Sequence, residues 1–75
     1  MRLELEYESI ATIRRVLDRE RDAREDEAAR WEQAAAAEQT PARKRAAEEL
    51  AAYCRRRAEA CRKALEDVDR GLDIT

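Results

Sequence analysis

The sequence predicts an all-α protein, an antiparallel two-helix hairpin with a short extended N-terminal segment, oligomerising into a helical bundle. Three observations predict it. Ala, Glu, Lys, Leu and Arg supply 50 of the 75 residues, the composition of long helices and coiled coils. Between Pro41 and Gly71 there is no further Gly or Pro to interrupt a helix. On both sides of Thr40-Pro41, apolar residues recur at helical spacing. The length supports one domain, residues 1–75.

Residues 1–8 alternate, with Leu3, Leu5 and Tyr7 on one side and Arg2, Glu4, Glu6 and Glu8 on the other. That is the period of a strand, although Leu3, Tyr7 and Ile10 also stand at helical spacing. The segment is expected to be extended, and a lone strand needs a partner, most simply a second copy. Ser9 or a neighbour then caps a first helix over 9–38. Ile10, Ile13, Val16 and Leu17 begin its apolar stripe, and Ala28, Trp31, Ala34 and Ala35 resume it. Between these blocks stand Glu20, Arg24 and Glu27.

Thr40 suits an N-cap, and Pro41 suits the first helical position, where the missing N–H costs nothing. The turn is short, so the second helix, over 41–70, is expected to lie antiparallel to the first. Its stripe runs through Ala46, Leu50, Tyr53, Cys54, Cys61, Ala64, Leu65, Val68 and Leu72, broken by Arg57. Gly71 is expected to end it in the left-handed conformation, leaving Leu72 and Ile74 to fold back or reach a partner.

Folding at the turn pairs residues whose numbers sum to about 79. Ile10 then faces Val68, Ile13 faces Leu65, Leu17 faces Cys61, and Trp31 lies over Ala47 and Ala51 beside Leu50. Arg57 falls level with Asp22, so the two stripes are interrupted at the same height. The candidate core and oligomer residues are Leu3, Leu5, Ile10, Ile13, Leu17, Trp31, Leu50, Cys54, Cys61, Leu65, Val68 and Leu72. Only 14 residues are Leu, Ile, Val, Trp or Tyr. Chains this short seldom stabilise one core unaided. A homodimer closing a four-helix bundle, or a higher even-numbered oligomer, is therefore expected.

The polar belt of Glu20, Arg24, Glu27 and Arg57 has two readings. It is either a salt-bridge layer that fixes register, or an anion site in which Arg24, Arg56, Arg57 and Tyr53 hold a phosphate or carboxylate. Arg45, Arg56, Lys63 and Arg70 align along the outer flank of the second helix, as a solvated face or a dock for an acidic partner. The net charge is −2, with residues 1–40 at −4 and residues 41–75 at +2. That balance argues against general nucleic-acid binding.

No stretch is apolar enough to span a membrane and none has a signal-peptide pattern, so a cytoplasmic location is expected. Cys54 and Cys61 stand seven apart, roughly 10 Å along a helix, too far for a mutual disulfide. They match no zinc or redox spacing and read as small packing residues. With no His, one Gly and no phosphate loop, neither an enzyme nor a metal or other cofactor is expected.

The Met-Arg-Leu-Glu-Leu-Glu-Tyr start followed by two long antiparallel helices resembles small phage-type helical-hairpin accessory proteins that inhibit bacterial immunity. The resemblance spans the whole chain as architecture and carries over no individual residue. It implies a non-catalytic helical oligomer that binds a host defence protein stoichiometrically. It also allows an oligomeric sponge for an anionic nucleotide second messenger. A purely structural coiled-coil or bundle module is the third possibility.

Overall fold

The computed structural model describes residues 2–74, and their side chains over 8–71. Two helices make the molecule: α1, Arg2–Ala37, and α2, Pro41–Ile74. They pack against each other over their length as a hairpin measuring 59 × 17 × 12 Å. The smallest dimension is about one helix diameter, so the hairpin is a single layer. Among the described residues there is no strand, and no helix is long and apolar enough to cross a membrane.

The turn follows from its residues. Glu38 N–H donates to the Ala35 carbonyl at 3.3 Å, tightening the end of α1. Thr40 N–H donates to the Glu38 carboxylate at 3.2 Å. The Thr40 carbonyl accepts the first α2 bond, from Lys44 N–H, at 2.9 Å. That is the backbone role of an N-cap.

Both outer ends differ from expectation. Residues 2–8 are not extended; they continue α1 to Arg2, and Ser9 stands inside the helix. A single strand in this chain would leave its ladder groups unpaired, whereas a helix satisfies its own backbone. The helical spacing of positions 3, 7 and 10 carries the outcome over the alternation. At the other end Gly71 does not stop α2, and among the described residues none takes a positive φ. The helix runs on to Ile74. The side chains of Leu3, Leu5, Leu72 and Ile74 lie outside the described residues.

The seam between the helices is built from small side chains. Ala28, Ala35, Ala47, Ala51, Cys54, Ala58, Cys61 and Leu65 are buried, and Ala28 is 0% exposed. Residues without bulk let two helices approach closely. Larger apolar residues are displaced to the flanks. Ile10, Leu17 and Val68 are half-buried, while Ile13 (50%), Leu50 (42%) and Trp31 (38%) remain exposed. The expected facing of Ile13 on Leu65 is thus replaced by a buried Leu65 and an outlying Ile13. Ala47 and Ala51 are buried, but Trp31 is not sealed over them.

The single layer has two broad faces, distinguished by what bridges the seam. On one, which we call the clasp face, Arg14 pairs with Asp69, Arg62 with Glu25 and Arg55 with Glu32. On the other, the belt face, Arg57 reaches Glu20. Positions 13, 16, 20, 24, 27 and 31 of α1 follow one another at steps of three or four, as do 46, 50, 53, 57, 60 and 64 of α2. Those steps line one side of a helix, so both series lie on the belt face.

Candidate functional site

The belt is assembled chiefly within α1. Arg24 stands four residues after Glu20 and three before Glu27, the spacings at which helical side chains meet. Its Nε donates to Glu20 Oε1 at 2.8 Å and its Nη1 to Glu27 Oε2 at 2.8 Å. The Arg24 side chain is 30% exposed. From α2, the Cys54 thiol donates to Glu27 Oε2 at 3.6 Å. Arg57 Nη2 lies 4.0 Å from Glu20 Oε1, with its side chain 54% exposed. The interruptions of the two stripes therefore meet in space.

The electrostatics follow from this geometry. The hydrogen bond from Arg24 holds the Glu20 carboxyl below its ordinary value. The Arg24 charge adds to that, partial burial opposes it, and the Arg57 charge contributes least. Arg24 is itself pushed up, first by the same hydrogen bond and then by the charges of Glu20 and Glu27. Burial pushes the Cys54 thiol up, the hydrogen bond to Glu27 and its charge push the same way, and nearby Arg24 pulls back. A thiol raised in this way is a weak nucleophile at neutral pH.

The anion-site candidates are only partly brought together. Arg24 and Arg57 share Glu20, and Tyr53 precedes Arg57 by one turn on the same face, 51% exposed. Arg56 is exposed and, one residue from Arg57, points about 100° away, off the belt. Arg24 already has a carboxylate on each side, so its charge is met from within the protein. Of the two belt arginines, Arg57 has the more donors to spare, with one ion pair at 4.0 Å. Beside the belt, Glu27, Arg30, Trp31 and Ala34 line a shallow depression.

Two features escaped the sequence reading. The three ion pairs of the clasp face join charges far apart in the chain. In a sequence that is 45% charged, opposite signs at matching height occur everywhere and single out no pair. The Cys54–Glu27 bond was likewise unmarked, although the placement of both residues near the interrupted stripes was its available signal. No protein-family model, no curated protein and no solved structure matches the chain.

Proposed function

We propose that this chain is a non-catalytic binding protein. Its belt face builds a helical homo-oligomer, and the oligomer acts by stoichiometric occupation of another protein, a host defence protein in the phage-type reading. One observation carries this proposal. Among the described residues, the five exposed large apolar ones, Ile13, Val16, Trp31, Leu50 and Tyr53, fall on the belt face, around a centre holding Arg57 and Arg24. Trp, Tyr and Arg grouped around a patch centre are the residues that dominate protein–protein binding. The sponge reading draws support from half-exposed Arg57 beside Tyr53, and is opposed by the two carboxylates on Arg24.

The test combines two measurements on the full chain. A tagged preparation is passed over bacterial lysate, and bound protein and small molecules are recovered together. Thermal melting is then followed with cyclic di- and oligonucleotides and ADP-ribose derivatives. Capture of one protein at fixed stoichiometry, with no nucleotide changing the Tm, is the expected result. A nucleotide-dependent rise in Tm that Arg57→Ala removes would replace this reading with the sponge. An oligomer that captures nothing and responds to nothing would leave the structural module.

A further inference from the structure

We infer that two copies of this chain pack belt face to belt face with their turns at the same end, about a two-fold axis running along the rods, so that α1 of each copy lies on α2 of the other and Arg57 of each enters between Glu20 and Glu27 of the other. This rests on reading the belt face as the surface that builds the oligomer, and it adds which helix meets which. The chain has the surface for it. It exposes 6223 Å², where a compact monomer of 8.7 kDa would expose about 4,700 Å². The surplus, about 1,500 Å², covers the roughly 800 Å² per partner of a standard interface.

Two rods that meet face to face can obey a two-fold in two ways. An axis across the rods reverses one of them, setting α1 on α1 and α2 on α2. An axis along the rods keeps both turns at one end and sets α1 on α2 at both contacts. Charge decides between them. Residues 1–40 carry −4 and residues 41–75 carry +2, so reversal lays two acidic helices together, whereas the axis along the rods lays each acidic helix on a basic one. The belt repeats the choice at close range. Its α1 part, Glu20, Arg24 and Glu27, is net negative, and its α2 part is Arg57. Reversal would set Arg57 against Arg57. With the turns together, Arg57 meets the two carboxylates of the copy. Bonds within the chain fall on Glu20 Oε1 and Glu27 Oε2, which leaves Glu20 Oε2 and Glu27 Oε1 to accept from outside. Arg57 reaches its own Glu20 only at 4.0 Å and keeps N–H donors to give.

Side-chain size agrees. An axis along the rods preserves height, and contacts across the seam set the heights. Glu27–Cys54 and Glu32–Arg55 bring Trp31 level with Leu50 and Tyr53. Arg14–Asp69 brings Ile13 and Val16 level with Ala64 and Val68. In the half nearer the turn, Trp31 of each copy enters the notch between Leu50 and Tyr53 of the other, where ring-on-ring contact adds to burial. In the terminal half, Ile13 and Val16 lie over Ala64 and Val68, both half-buried. Ile13, Val16, Trp31, Leu50 and Tyr53 are thus all covered. Each helix gains an antiparallel neighbour on its second side, the up-down-up-down order of four-helix bundles.

Sedimentation equilibrium of wild-type protein at low micromolar concentration reads the stoichiometry, and spin labels on Gln39→Cys, exposed at the turn, read the direction. Dimer is expected, with labels within about 30 Å, three helix-packing distances. Cys54 and Cys61 are buried, which directs the label to position 39, and a Cys54→Ala/Cys61→Ala background checks that selectivity. Labels separated by a distance approaching the 59 Å length of the hairpin overturn the arrangement and leave the belt-face oligomer standing. Arg57→Gln gives a second reading of direction. It should raise the dissociation constant at least tenfold if Arg57 meets carboxylates; a constant unchanged or lowered is the mark of Arg57 on Arg57 and also overturns the arrangement. A folded monomer overturns the second copy. If that monomer captures a lysate protein and Tyr53→Glu abolishes the capture, the belt face still binds protein and only its oligomer falls. A dimer indifferent to both Arg57→Gln and Tyr53→Glu is built on another surface, and both readings fall.

Discussion

Arg24 occupies a position where the apolar stripe of α1 should continue, and it holds two carboxylates of its own helix, each at 2.8 Å. The pairing needs nothing from α2, so it forms wherever α1 forms. Its effect on Glu20 has a consequence for pH. The folded state holds the ionised carboxylate more firmly than the unfolded chain does. The resulting stability is present above about pH 4.5, the ordinary glutamate value, and is lost as pH falls through the lower folded value. Arg24→Gln should flatten this acid limb, since Glu20 then titrates nearer its ordinary value. Urea midpoints of both proteins between neutral and strongly acid pH measure the difference. An unchanged limb would place the acid sensitivity in other carboxylates.

At the scale of the element, α2 continues through Gly71 with an ordinary helical φ, and a Cβ added there meets nothing within 4 Å. Gly71→Ala should therefore stabilise the helix by about 0.5–1 kcal/mol, read as a higher urea midpoint. A loss of stability would restore the left-handed cap that Gly near a helix end suggests. The two helices, the turn and the level of the belt were legible in the sequence because breakers, caps and displaced charges are local signals. The seam was less so. Apolar periodicity is dominated by large residues such as Ile13, Trp31 and Leu50, yet the approach of two helices is set by the smallest ones, here alanines such as Ala28 and Ala58. Alanine is common enough in this chain that its seam positions do not stand out. The first turns of α1 were obscured by an alternation that satisfies a strand and a helix at once.

The whole molecule is a rod. Its radius of gyration is 17.1 Å, against about 11 Å for a compact domain of this length. A seam made mostly of small residues removes little apolar surface from water, and Ile13, Val16, Trp31, Leu50 and Tyr53, which could add to the burial, stand exposed on the belt face. Folding should then be coupled to assembly. For a dimer of two such chains, Tm should rise by about 4–5 °C for each tenfold increase in protein concentration. Calorimetric scans over two decades of concentration check this, and a constant Tm would mark a chain that folds alone. Salt acts differently on the clasp face and on the belt face. Arg14–Asp69, Arg55–Glu32 and Arg62–Glu25 are each a third or more exposed, and ions screen such pairs within about 10 Å at 0.1 M salt. Sulfate and phosphate, by contrast, strengthen apolar burial because they are excluded from the surface. Sulfate thus loosens the ion pairs that tie α1 to α2 on the clasp face while favouring burial of the apolar residues that the belt face exposes.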